Sequence, residues 1–541
     1  MKTGFKKEPA IITMAGPICF VGLAMFFLFH LKDSIAQSDA VSYIRMAQET
    51  VKGNFSALLN SYWSPLFSIL LSPLLYFNID PLLSLKLVQT LIALALFFHS
   101  NQYLDRFFVY GYNRILFQLA FALPILSFAF RYSTPDLLFL FLSLKFIYYF
   151  SFSAVHALRY SIVYAIALVL CKSVALVFLP MFLIIHYALS SRKNRNKSIL
   201  KFIMCVSFFV VFYIALVSIA QKQLTIPGAA GYNFSLLHPG KYSLQDGTLK
   251  HPLHEGQLFF PNGAYHLSIW ETPTAIPQTN WSPFESREYF VHFLGMIKLN
   301  IQSFYYLYVS NNVGFFFLFF LCLLLLNGFF VLLKQNALLL NLLLSSVALL
   351  AVYGSIFLSY RYIWLLFFSS LFIMMAYSSI LRRKKTFRLI TLFMLLFSML
   401  IMNKNALKEL ISGQQKESSI SEMMELIVNP VAVLKQSNNE DQSWLNFCRM
   451  GSQENSVKES FISIPSSEIN IRKSLLYSLY TQRTYYGACK DYTESNLRTA
   501  VSKFHPTEIH SEFPLDDRLA TELKLYAKPI NRSDWYIYIR K

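Results

Sequence analysis

The feature that most constrains this chain is a series of eleven apolar runs separated by charged turns. A helix that crosses a bilayer takes about 20 apolar residues, somewhat fewer where loops dip into the membrane. The runs cover approximately 11–30, 82–100, 115–130, 137–155, 158–172, 174–190, 199–220, 312–333, 337–358, 361–381 and 387–402. Charged residues make up 14% of the 541 and hydrophobic ones 55%, where a soluble domain carries about 25% charged. An ordinary soluble enzyme, a disordered chain and a disulfide-built mini-protein are excluded. The sequence predicts an α-helical polytopic membrane protein.

Charge sets the orientation. Two doubts precede it. Residues 65–77 are apolar but short and hold two prolines, which suits a re-entrant or interfacial helix. The 160–189 stretch is too long for one crossing and short for two. If 65–77 does not cross and 160–189 turns near Lys172, then 17 Lys and Arg fall on one side, including the 192–201 and 382–388 clusters. Either other choice moves a cluster outside. Eleven helices, N-terminus in and C-terminus out, fit the positive-inside rule best. The first run is followed by Phe29-His30-Leu31-Lys32 with no small-residue cleavage site, so it reads as an anchor.

The predicted division is a membrane domain over 1–402, with outer loops 31–64 and 221–311, and a small extracytoplasmic α/β domain over 403–541. The tail holds 18 Lys+Arg and 17 Asp+Glu; the other 402 residues hold 30 and 12. The basic excess therefore belongs to the apolar part, which points to topogenic loops and anionic membrane lipid rather than nucleic acid. Cys448 and Cys489 lie in the tail. Outside the cell they are either a disulfide or two unrelated thiols.

Four places carry ionisable residues at outer helix ends. In the first outer loop, Asp39 opens a run whose Ala40, Ile44, Ala47 and Val51 recur at helical spacing, an interfacial helix. Asp39 or Ser38 either caps that helix or Asp39 takes a proton from a hydroxyl. In FRYSTPDLL, Arg131 ends one helix and Asp136 begins the next; Thr-Pro-Asp is also ordinary turn chemistry. Lys172 breaks an apolar run, and either binds an anion or snorkels. Arg361 stands between two long apolar helices, suited to bidentate phosphate binding, while Tyr360, Tyr362 and Trp364 also fit an aromatic belt. Cations for a phosphate and a carboxylate for a hydroxyl proton together suit transfer of a group from a phosphate-linked donor.

The same residues carry a resemblance. S-D-A-x-x-Y-I-x-M-A with K-G-N-F and Y-W-S-P-L-F resembles the first outer loop of GT-C fold glycosyltransferases, in particular the bacterial family-39-like group related to protein O-mannosyltransferases and aminoarabinose lipid A transferases. R-Y-S-T-P-D-L-L, C-K-S-V-A-L-V-F-L-P and S-Y-R-Y-I-W-L-L resemble that group's later segments in the same order, over roughly residues 10–400. The resemblance implies a polyprenyl-phosphate sugar donor, a glycan, lipid or protein acceptor, an inverting hexosyl- or pentosyltransferase, and a site on the outer face of the cytoplasmic membrane. It implies Asp39 as catalytic base, Asp136 as a second acid, and Lys172 and Arg361 at the donor phosphate. Arg131 is a further phosphate candidate, and Tyr43, Tyr62, Trp63 and Tyr362 are substrate-pocket candidates. Some relatives carry Asp-Glu where this chain has Asp39-Ala40, so their metal dependence and acceptor type do not carry over. Asp39 with Asp136 would suit a divalent cation. The competing class is a transporter or flippase of lipid-linked sugars, which predicts inverted halves and discontinuous helices near mid-membrane, whereas the sequence shows no repeat and its ionisable groups fall at one face.

Overall fold

The computed structural model describes residues 10–31, 37–107, 112–152, 155–189, 196–245, 249, 252, 257–261, 266–309, 336–356, 364–380, 444, 448–449, 459–465, 468–489, 493–528 and 536–540. The chain forms two compact units: Met1–Lys32, Lys86–Tyr213 and Met296–Leu434 in one, and Asp33–Leu85, Ile214–Gly295 and Lys435–Lys541 in the other.

The first unit is helical. Its described elements are α1 (Ala10–Leu31), most of α4 (Pro81–Arg106), α5 (Tyr112–Arg131), α6 (Asp136–Phe150), α7 (Val155–Cys171), α8 (Ala175–Leu189), the first part of α9 (Asn196–Gln221), the end of α11 (Arg287–Val309), α12 (Ala337–Gly354) and α13 (Trp364–Ile380). Pro81–Arg106, Ile199–Gln221 and Ala337–Gly354 are long and apolar enough to cross a membrane by themselves, and shorter apolar helices accompany them. The 160–189 stretch is two helices, broken at 172–174. The expected runs 312–333 and 387–402 lie outside the described residues. Small residues and polar side chains draw the helices together, as apolar lipid offers no drive of its own. Gly16 of α1 leaves no room for a Cβ against Gln118 of α5, whose Nε2 donates to Asn101 Oδ1 of α4 at 2.6 Å. Tyr103 stacks on Phe372 at 4.2 Å, and its hydroxyl donates to the Leu144 carbonyl at 2.8 Å.

The second unit joins two outer segments to the tail. It holds α2 (Ser38–Val51), α3 (Leu66–Tyr76), α10 (Ala230–Leu236), two 3-10 turns at Ile269–Glu271 and Pro273–Ala275, and a five-stranded sheet. The helix α3 buries Phe67 and Leu71, and Phe67 meets Tyr43 of α2 edge-on at 5.5 Å. Its other face leaves Ile69, Leu70 and Tyr76 exposed. An apolar exposed face on the 65–77 segment suits a lipid interface.

The sheet is built from β1 (Ser460–Ile464), β2 (Thr484–Ala488), β3 (Glu508–Ser511), β4 (Leu525–Lys528) and β5 (Tyr536–Arg540), in the order β2-β1-β3-β5-β4. The first three are parallel and β5 is antiparallel to both its neighbours. Parallel pairing requires crossovers. These are α14 (Glu468–Thr481) and α15 (Glu494–Phe504), followed by α16 (Asp517–Glu522). Residues alternate in direction along a strand. Ile462, Ile464 and Ile509 pack with Leu497 and Val501 of α15, while Phe461 and His510 meet Tyr477 of α14. An exposed edge strand invites pairing, and here residues 257–261 and 266–268 lie along β2. Tyr485 N donates to the Leu267 carbonyl at 2.8 Å and Phe259 N to the Tyr486 carbonyl at 2.9 Å. Gly487 has φ +127°, and a Cβ there would come 3.1 Å from the Gln257 carbonyl, so this crossing needs glycine.

Cys448 and Cys489 are two separate buried thiols, and the disulfide is not formed. Cys489 packs in the core on the α15 face.

Candidate functional site

In the helical unit the candidate residues gather at the turn between α5 and α6 and at the break between α7 and α8. Pro135 occupies the N-cap position of α6, so Asp136 is the first helical residue and not the cap. Its carboxylate is buried and forms an ion pair with the Lys172 ammonium, while Thr134 Oγ1 donates to Asp136 Oδ2 at 2.6 Å. Lys172 follows the last residue of α7 and lies 5.6 Å from the centroid of the Tyr353 ring. The Lys172 side chain is about a fifth exposed and that of Asp136 less than a tenth, at 20% and 6%.

Two residues that sequence reasoning passed over hold this turn. Lys86 Nζ of α4, fully buried, donates to the Phe130 carbonyl at 2.9 Å. One turn on, Gln89 Nε2 donates to the Tyr132 and Thr134 carbonyls at 3.1 and 2.8 Å. The end of a helix leaves carbonyls without helical partners, and these two side chains satisfy them. Lys86 carries the same signal that singled out Lys172, a charge in an apolar run.

Arg131 is the last residue of α5. Arg361 and Tyr362 lie outside the described residues. The structure thus brings together Asp136 and Lys172 of the expected set in this unit.

Asp39 belongs to the other unit. It lies in the first turn of α2, half-buried, and the cap position is Gln37, so neither Ser38 nor Asp39 occupies it. A carboxylate in the first turn is favoured by the helix dipole. Tyr43 and Trp63 meet at 5.1 Å, Tyr62 and Trp63 at 4.4 Å, and Tyr62 and Tyr232 at 5.7 Å, an aromatic group that includes three of the pocket candidates.

The orientation of α2 is fixed from the side. Ser42 Oγ donates to the Trp270 carbonyl at 3.0 Å, and Trp63 Nε1 donates to the same oxygen at 3.1 Å. Ser68 Oγ of α3 donates to the Tyr43 carbonyl at 2.9 Å. Burial would push the Glu49 carboxyl up, but the hydrogen bond from Lys52 and the charges of Arg45 and Lys52 outweigh it and hold the group below its ordinary value. Glu271 moves the other way: burial pushes it up against the opposing charge of Arg45. Among the described residues, no group of three or more His, Cys, Asp or Glu side chains is arranged to hold a metal ion.

No protein-family model and no curated protein matches the sequence. Among solved structures, the chain is similar to the crystal structure of ArnT from Cupriavidus metallidurans bound to undecaprenyl phosphate, at 12% identity and a TM-score of 0.51, over 97% of this chain and 98% of that one. The likeness runs nearly end to end, so the helices and the C-terminal sheet follow one shared architecture: the chain is a largely helical membrane protein with the fold of that structure.

Proposed function

We propose that the chain is an integral-membrane glycosyltransferase that moves a sugar from a polyprenyl-phosphate donor to a lipid, glycan or protein acceptor at the outer face of the cytoplasmic membrane. The observation that carries this reading is the likeness in fold, over 97% of the chain, to a protein crystallised with undecaprenyl phosphate. It agrees with the resemblance carried by the first outer loop and by the Asp136 and Lys172 segments.

The reaction is one displacement. An acceptor hydroxyl attacks the anomeric carbon, the new glycosidic bond forms as the bond to the phosphate oxygen breaks, and polyprenyl phosphate leaves. The configuration inverts. Asp39 takes the hydroxyl proton as general base. The leaving group is already good, so the protein's work is positioning and charge stabilisation. Lys172 meets the donor phosphate and offsets the charge that develops there, with Arg131 and Arg361 as further cations. Asp136 holds the Lys172 ammonium in place.

The test is turnover by the full chain in nanodiscs, supplied with undecaprenyl-phosphate-linked glucose, mannose and aminoarabinose, with release of undecaprenyl phosphate as the readout. Asp39→Asn is expected to lower kcat by roughly 10²–10⁴ while undecaprenyl phosphate still binds. Lipid flipping by that variant, with no glycosyl product from either protein, would replace this reading by a transporter.

A further inference from the structure

We propose that Arg45 is a positioning residue for Asp39, fixing the rotation of α2 by a hydrogen bond to the tail and an ion pair to the long outer loop, while it is held from its own helix by Gln48 and Glu49. The inference rests on the transfer reading for its consequence and on geometry for its substance.

The cap residue of α2, Gln37, makes no side-chain hydrogen bond to the helix. Contacts along the side of this short helix bear on the carboxylate in its first turn. The stripe Ser42, Arg45 and Glu49 supplies them, at helical spacing on one face.

Arg45 lies at the centre of that stripe, with its side chain 3% exposed. Its Nη1 donates to Gln482 Oε1 of the tail at 2.8 Å and to Gln48 Oε1 at 3.0 Å. Its Nη2 donates to Glu49 Oε1 at 3.1 Å. Its Nε lies 3.9 Å from Glu271 Oε2 of the long outer loop. A guanidinium presents five donors in one rigid plane. Partners in three directions therefore set its orientation, and through its backbone the orientation of α2.

The Glu271 side is itself braced. Glu271 Oε1 accepts from Leu267 N at 2.8 Å and Ser268 N at 3.2 Å, and its carbonyl accepts from Asn60 Nδ2 at 3.0 Å. Asn60 Oδ1 in turn accepts from Tyr62 N and Trp63 N. The Gln482 side is also anchored, since Gln482 Nε2 donates to the Leu479 carbonyl at 2.6 Å and only Arg483 separates it from β2. Arg45 thus joins α2 to a loop segment more than 200 positions away and to a tail residue 437 positions away. Two buried carboxylates, Glu49 and Glu271, balance its charge.

The consequence is a division of labour on one helix. Arg45 meets no substrate and moves no proton. It holds the backbone whose first turn presents Asp39, and a displacement of about 1 Å at a reacting group can cost about a hundredfold in rate.

The test uses the full chain in nanodiscs, with undecaprenyl-phosphate-linked glucose, mannose and aminoarabinose as probes, and three variants. Gln482→Ala cuts one link and keeps the ion pairs. Arg45→Lys keeps the charge and loses the planar fork. Arg45→Met removes both. Expected is a graded fall in kcat, about threefold for Gln482→Ala and ten- to a hundredfold for Arg45→Lys, with the donor KM unchanged within about twofold. Hydrogen exchange of the α2 amides is expected to rise in the same order. Unchanged exchange in both Gln482→Ala and Arg45→Lys would overturn the proposal. So would a loss of rate that only tracks the folded fraction. If the parent chain transfers none of the three sugars, the transfer reading fails, and the exchange experiment still decides whether Arg45 fixes α2.

Discussion

Replacing Lys172 by Met should destabilise the helical unit and also abolish transfer, and a second substitution should separate the two effects. The Asp136 side chain is 6% exposed and Lys172 is 20% exposed. Removing one partner of a buried pair costs about 3–5 kcal/mol, because the other charge stays in a poor solvent. Partial exposure of the ammonium and the Thr134 hydrogen bond both reduce this, so about 2–4 kcal/mol is expected. Replacing both residues, as Lys172→Met with Asp136→Leu, removes the stranded charge and should recover about 2 kcal/mol of that loss. Transfer should not return in the double variant, because the cation proposed to meet the donor phosphate is still missing. Unfolding in an SDS titration gives the stabilities, and undecaprenyl phosphate release gives the rate. A single-variant cost below about 0.5 kcal/mol would mark a screened surface contact. A double variant as unstable as the sum of the singles would remove the coupling on which this account depends. Recovery of transfer together with stability would show that Lys172 acts only as structural glue.

Gln89→Leu strands two buried carbonyls at the α5–α6 turn and is expected to cost about 2–4 kcal/mol in the same SDS titration, with a fall in transfer rate; an unchanged rate would mean that the turn does not position Asp136. In the tail, Arg483→Met leaves the buried Glu508 without the guanidinium that binds both its oxygens, an expected loss of about 3–5 kcal/mol read by hydrogen exchange of β1 and β3 in the full chain. Burial lowers the pKa of His510 from 6.5, with Arg483 adding to it and the hydrogen bond and charge of Glu508 opposing it. The unfolded chain therefore takes up this proton first as pH falls. Tail stability should be complete above pH 6.5 and decline below it, by at most about 1.4 kcal/mol per pH unit. His510→Phe, packed on Phe461, should flatten the slope; an unaltered slope would place the pH dependence elsewhere.

Much of the helical architecture is legible in the sequence because lipid imposes a coarse and demanding pattern. Breaks such as Lys172–Val174 and Tyr132–Pro135 stand out where polar residues interrupt apolar runs. The tail was legible only in part. FISI and TYYGA show strand composition and became β1 and β2. β3, EIHS, carries no strand pattern, because it buries Glu508 and His510 among Arg483 and Tyr477 rather than alternating apolar with polar. That the tail packs with residues 33–85 and 214–295 is written in no local pattern. It rests on contacts such as those of Arg449 and Tyr480 with Asp80, whose other oxygen caps α4 through Leu82 N and Leu83 N.

The candidate site divides in the same way. Asp39, Asp136 and Lys172 could be singled out because an ionisable group at the edge of hydrocarbon is costly and so has a reason to be there. Their supports could not. Gln89 is an unremarked amide in a helix until the carbonyls of Tyr132 and Thr134 arrive beside it. Glu271 lies in an irregular loop whose composition suggests no partner, and Gln482 lies in the tail, yet both converge on Arg45. Only the Arg45–Glu49 pair, four residues apart on one helix, was within reach of a spacing argument. Chemistry-bearing residues declare themselves by type, whereas the residues that aim them are ordinary in type and special only in place. A search by composition will therefore find an acid such as Asp39 and miss an arginine such as Arg45, and the kcat and exchange measurements on Arg45→Lys ask how much of the rate lies in the aiming.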